Sequence, residues 1–227
     1  AFLPYNPAVT ISHLFFDLDD TLYPAGNGLW DEIGVRINRF MIERVGIDPS
    51  QVNDLRKRYF QTYGATLRGL LTEYVDTDPD AYLAYVHDVD LSRYIAPSPA
   101  LDTMLAALPQ PKAILTNAST EHAHRVLTRL GVAHHFPIIV DIRAMNFENK
   151  PLPHAYDALL KRISAPAAEC IIVEDSVRNL RPAKALGMTT LLVENGHEPD
   201  PAVDYRVDAI LETGAIIQTI TYINQFL

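Results

Sequence analysis

The chain has 227 residues, of which 48% are hydrophobic and 21% charged, with a formal charge of −9. That is enough apolar chain to bury the core of one large domain, or of a domain carrying a substantial insert. The acidic balance argues against binding a nucleic-acid polymer through bulk electrostatics, which needs clustered Lys and Arg, and no apolar run approaches the ~18 residues of a membrane span.

In chain order, the amino end "AFLPYNPAVT" lacks a basic region followed by an apolar one, so it reads as an irregular arm rather than a signal peptide. "ISHLFF" (11–16) is a strand running into the acidic "DLDDT". Between Pro24 and Pro97 no strand pattern occurs. The helix-like segments "GLWDEIGVRINRFMIERVG", "DPSQVNDLRKRYFQTYG", "ATLRGLLTEYV" and "DPDAYLAYVHDV" fill that interval, with Asp48 read as an N-cap and Pro49 in the first turn. Pro97 and Pro99 in "APSPALDTML" punctuate the return. Strands then alternate with helices: "KAILT" (112–116), "STEHAHRVLTRLG" with Ser and Thr at its start and Gly131 at its end, "PIIV" (137–140), "PHAYDALLKRI", "CIIV" (170–173), "VRNLRPAKALG" and "TTLLV" (189–193). This alternation predicts an α/β fold with a parallel sheet covered on both faces. The helical insert falls after the first strand, on the side of the sheet where open α/β folds bind ligands. The single cysteine, Cys170, excludes a disulfide within the chain, suits a reducing cytoplasm and reads as a buried structural thiol.

Three acids within four positions at a strand end, Asp17, Asp19 and Asp20, repel one another and lose hydration. A cation or a reaction would justify them. Residues two apart on a strand share a face, so Asp17 and Asp19 are predicted to point together and Asp20 away. A second acidic strand end follows "CIIV" at Glu174 and Asp175. Parallel strands end on one edge, so both acidic segments can converge on one hard cation such as Mg²⁺. Thr116 and Asn117, at the end of "KAILT", offer a hydroxyl, an amide and backbone N–H groups to phosphate oxygens. Lys150, before Pro151 and a helix, offers a positive charge.

The ordered set "DLDDT" (17–21), "LTN" (115–117), Lys150 and "EDS" (174–176) resembles the haloacid dehalogenase superfamily over almost the whole chain. "FFDLDDTLYP", "RYFQTYGATLRGL" and "YVHDVDL" resemble its pyrimidine 5′-nucleotidase branch. Many relatives carry two Asp residues where Glu174-Asp175 stands; Glu reaches one methylene further and still ligates a metal. The resemblance implies a Rossmann-like three-layer core over 9–23 and 98–227, with a helical-bundle cap over 24–97. It implies Asp17 as nucleophile and Asp19 as acid and base. Mg²⁺ would be held by Asp17, the Asp19 backbone carbonyl, Glu174 and Asp175. Thr116, the Asn117 backbone and Lys150 would bind the phosphoryl group. Within the tyrosine-rich cap, Tyr63, Arg68 and His87 are the candidates for contacting base or ribose, by stacking or hydrogen bonding. The implied substrate is a small phosphorylated metabolite, a nucleoside monophosphate such as UMP or CMP, and the chain is expected as a cytoplasmic monomer or homodimer. A phosphatase or phosphomutase for sugar or acid phosphates, and a non-catalytic phospho-acceptor or ligand-binding domain, are the alternatives. His122 and His124 do not face one another on a helix, and His134-His135 lack further ligands at metal spacing.

Overall fold

A computed structural model describes residues 10–193 and 198–226, so the amino-terminal arm lies outside the described residues save Thr10. Six parallel strands form one sheet in the order β3-β2-β1-β4-β5-β6: β1 His13–Phe16, β2 Lys112–Leu115, β3 Ile138–Val140, β4 Cys170–Glu174, β5 Thr189–Val193 and β6 Tyr205–Val207. β1 and β4 are apolar along most of their length, with both faces covered, as a central parallel strand requires. Because β1 pairs with both β2 and β4, it lies where the strand order turns back. Ligand crevices of doubly wound sheets open at that point.

Four helices occupy the interval between β1 and β2, ahead of the return helix: α1 Leu29–Glu43, α2 Val52–Tyr63, α3 Thr66–Glu73 and α4 Pro79–His87. On α1 the buried side chains Leu29, Ile33, Ile37, Phe40 and Met41 recur at helical spacing, and that face packs on α4 and α2. Tyr59 and Tyr82 are buried in this bundle. Gly69 of α3 lets α2 approach closely, since a Cβ there would stand 2.2 Å from the Tyr59 ring. Asp78 caps α4 by accepting from the N–H groups of Asp80 and Ala81.

The remaining helices are α5 Pro99–Ala106, α6 Thr120–Leu130, α7 Pro153–Ile163, α8 Val177–Ala185 and α9 Thr213–Phe226. Ser119 caps α6 by accepting from the His122 N–H, and Gly131 closes it at φ +85°. Asp48 differs from expectation. Its carboxylate accepts from the Ser50 N–H and hydroxyl in a local turn, and α2 begins later, at Val52; a short acidic side chain bonding its own neighbours competes with capping. Cys170 is buried, its thiol pushed up to about 12 by burial. No helix among the described residues is long and apolar enough to cross a membrane.

Gly69→Ala should force overpacking against Tyr59 and lower stability by about 1–3 kcal/mol, seen as a reduced Tm with the secondary-structure content retained.

Candidate active site

The register sets the site. Phe16 pairs with Val173, and the Asp17 N–H continues that ladder to the Val173 carbonyl at 2.9 Å. Asp17 therefore emerges beside Glu174, the last residue of β4. The chain then leaves the sheet, and Asp20 takes a left-handed backbone, φ +60°, a conformation Asp tolerates better than most residues. Thr116 emerges from β2 on the other flank of β1; its hydroxyl caps the Ala118 N–H.

Lys150 arrives from the loop after β3. Its ammonium, 1% exposed, lies 2.7 Å from Asp17 Oδ1 and 2.5 Å from Glu174 Oε1. Asn117 holds the loop in place: its Oδ1 accepts the Lys150 N–H at 2.8 Å and its Nδ2 donates to the Lys150 carbonyl at 3.2 Å. The helical insert also presses on this loop. Asn149 Nδ2 donates to the Tyr63 carbonyl, and at Gly64 (φ +83°) a Cβ would stand 2.8 Å from Asn149 Nδ2 and 3.0 Å from the Lys150 carbonyl.

The electrostatics follow from one ammonium among several carboxylates. Burial raises Asp17 to about 7 despite Lys150 beside it, with Glu174 and Asp19 pushing the same way. Burial and Asp17 raise Asp175 to about 6. Burial and the charges of Asp19 and Asp17 raise Asp20 to about 6. Burial also holds Glu174 above the usual carboxylate range, against the pull of Lys150. Burial opposes the Lys150 charge, but Asp17 and Glu174 outweigh it and hold the ammonium above its ordinary value. Asp19 behaves otherwise. Burial pushes it up, yet His122 and Tyr23 more than offset this and leave it below the usual range.

Asp17, Glu174 and Asp175 each offer a carboxylate oxygen, all within 4.8 Å of one another. These are hard donors of the kind Mg²⁺ prefers, and a divalent cation would offset the burial and the mutual repulsion that raise their pKa values, so the residues fit such an ion. The Asp19 carboxylate stands outside this group, held by Tyr23 and His122.

Above the strand ends lies a cavity of about 710 Å³, a size ordinary for small-molecule sites. Its floor includes Asp17, Asp19, Thr116, Asn117 and Lys150; its far wall carries Trp30, Ile33, Ile37, Phe60, Leu83 and Val86 from the insert. His87 and Arg68 also line it, and Arg68 donates to the Phe147 carbonyl. Tyr63 does not: its ring packs near Tyr59 at the edge of the core. Trp30 and Phe60, which sequence reasoning passed over, are the exposed aromatics of the wall, at 44% and 62%. His122 was also missed, because its helical spacing speaks only of His124 and not of Asp19, more than a hundred positions away. His134 and His135 acquire a partner that the sequence did not reveal. Both contact Asp102 Oδ1, at 3.1 and 2.8 Å, joining α5 to the turn before β3.

Residues 11–187, spanning β1 to β4 and α8, match the family described as haloacid dehalogenase-like hydrolase. The chain belongs to the haloacid dehalogenase-like hydrolases. Over 188 residues this hydrolase is 27% identical to phosphate metabolism protein 8 of Saccharomyces cerevisiae, covering 77% of this chain and 59% of the yeast protein, less than two thirds of that relative's length. It is 24% identical over 226 residues to a glyceraldehyde 3-phosphate phosphatase of Methanocaldococcus jannaschii, covering 92% and 98% of the two chains. A solved haloacid dehalogenase phosphatase from Thermococcus onnurineus shares the fold with a TM-score of 0.63 at 16% identity, over 91% of this chain and 97% of that one.

Lys150→Met removes the counter-charge of two buried acids. Their pKa values, already raised in the folded state, should rise further. The folded protein then keeps its stability below pH 4, where unfolded carboxyls are also protonated, and loses it progressively as pH rises toward 8. Chemical denaturation should show a deficit of about 3–5 kcal/mol at pH 8 and a clearly smaller one at pH 5.

Proposed function

We propose that the chain is a Mg²⁺-dependent phosphomonoesterase that works through an aspartyl-phosphate on Asp17 and acts on nucleoside 5′-monophosphates, pyrimidine nucleotides first. The observation that carries this reading is the meeting of Asp17, Lys150, Glu174 and Asp175 at the strand ends, under a cavity with aromatic walls. Asp17 attacks phosphorus, splitting one hard displacement into two easier ones. Asp19 gives a proton to the departing oxygen and then takes one from the water that releases phosphate. Lys150, the Thr116 hydroxyl and the Asn117 N–H hold the phosphoryl oxygens. Asp17, Glu174, Asp175 and the Asp19 carbonyl would hold Mg²⁺, which would supply positive charge against the transferring group.

In this reading the insert 24–97 is a cap over a core of 9–23 and 98–227, and it reads the leaving group. Trp30 and Phe60 offer faces on which a base can stack; Arg68 and His87 border the same space. A second reading, a small phosphorylated aldehyde as substrate, has support from the name of the archaeal relative. The volume and apolar wall of the cavity exceed what a three-carbon phosphate fills, and they favour the nucleotide. The choice of pyrimidine rests on the resemblance of "YGATLRGL" and its neighbours to the nucleotidase branch.

Phosphate release from p-nitrophenyl phosphate should require Mg²⁺ and stop on chelation. Asp17→Asn should lower turnover by at least about 10³-fold with the fold retained. A screen ranked by kcat/KM should favour UMP and CMP over purine nucleotides and sugar phosphates. Trp30→Ala should raise KM for the nucleotides by about 3–10-fold, the scale of one aromatic contact, and leave small phosphate esters unchanged. A flat profile, or preference for three-carbon phosphates, would move the assignment to the second reading.

A further inference from the structure

We propose that His122 is a positioning residue for Asp19: from α6 it fixes the carboxyl so that only Oδ2 is free to meet the leaving-group oxygen, and so governs how well poor leaving groups are expelled. This rests on the phosphomonoesterase reading and adds to it a residue that acts through Asp19 without touching substrate.

The geometry is specific. His122 Nε2 lies 2.9 Å from Asp19 Oδ1, and the imidazole is fully buried. The Tyr23 hydroxyl donates to the same oxygen at 2.6 Å. Both bonds fall on Oδ1, and no described residue bonds Oδ2, although Asp19 lines the cavity. The opposite ring nitrogen, Nδ1, is buried without a hydrogen-bond partner. The pairing therefore uses Nε2–H as donor to Oδ1, whichever state the carboxyl is in.

The imidazole is itself held. Ser119 caps the first turn of α6 through the His122 N–H. The His87 ring, at the end of α4, stacks on His122 with centroids 4.2 Å apart and planes 23° apart. Arg125, one turn along α6, donates to the carbonyls of His87, at 2.7 Å, and Val89. Arg129 donates to the Ile95 carbonyl at 2.7 Å. One helix thus supports the Asp19 carboxyl and grips the segment by which the chain leaves α4.

The chemistry needs this support in one step. As the bond from Asp17 to phosphorus forms, the bond from phosphorus to the leaving oxygen breaks, and the proton that Asp19 Oδ2 has taken from the incoming phosphate monoanion passes to that oxygen. Asp19 becomes a carboxylate, with Oδ1 still receiving both hydrogen bonds. A carboxyl free to rotate would spend less time aligned, which matters only if the proton is needed. An alkoxide needs it. A 4-nitrophenolate, stable as an anion, does not.

The test compares kcat/KM, which reports events up to release of the alcohol, for alkyl esters (uridine 5′-monophosphate and glycerol 2-phosphate) and for 4-nitrophenyl phosphate. In His122→Ala the alkyl esters should fall about 10²-fold, the scale of one acid–base group, and the aryl ester less than about 5-fold. His122→Gln, whose Nε2 can donate to Oδ1, should restore most of the alkyl activity. Tyr23→Phe should show a smaller selectivity of the same sign, and it carries the test should His122→Ala lose its cooperative thermal transition. Equal losses on both ester classes, no loss at all, or a glutamine variant no better than alanine would overturn the proposal. A wild-type chain without Mg²⁺-dependent activity on any ester would instead overturn the reading beneath it.

Discussion

The ammonium of Lys150 is the interaction on which the site depends. Three carboxylates leave two adjacent strands within a few ångströms of one another, out of bulk water, and this buried cation touches two of them. Without a counter-charge such acids would protonate or push apart. With it, Asp17 stays beside Glu174 in a geometry open to a divalent ion and a phosphate. One positive charge does not balance three negative ones, and the raised pKa values of Asp17 and Asp175 register burial first and this deficit after it. The incompleteness suits the proposed reaction, in which the site must still attract a metal.

How the lysine reaches that position links the carboxyl end of the sheet to the helices above it. Lys150 has no strand of its own. Its loop is fastened by Asn117, at the end of β2, and by Asn149, which donates to the last residue of α2. Gly64 lets that helix end come against the loop, and Gly69 lets α3 lie on Tyr59. Both glycines belong to the motif "YGATLRGL", whose physical content is close approach: one glycine seats the insert on the lysine loop and the other closes the insert on itself. The cavity walls and the carboxylates and lysine at the strand ends are therefore parts of one packed structure.

Much of this was legible in the sequence because parallel sheets convert strand ends into neighbours. "FFDLD", "AILTN" and "IIVED" each carry an apolar run that stops at polar residues, and the paired registers of β1, β2 and β4 bring those stops together. Other features were not legible. β6 is a three-residue strand with Arg206 at its centre, too short and polar to stand out. α9 is rich in Ile and Thr, residues of strand character, and takes its helical form from packing context. Tyr63 was expected at the substrate and faces the core edge, whereas Trp30 and Phe60 line the cavity. Helical period says which residues share a face but not which face a bundle turns toward its neighbour. The contact between His122 and Asp19 joins distant segments, and neither local spacing nor composition encodes it.

The central claim is that Lys150 holds Asp17 poised to receive phosphorus. The most direct measurement is to quench turnover of a ³²P-labelled phosphomonoester in acid and map the labelled peptide. The expected result is an acyl phosphate, released by hydroxylamine, on Asp17. Label on Asp19, or turnover without any trapped phosphoprotein under conditions where the release of the alcohol outpaces that of phosphate, would contradict it.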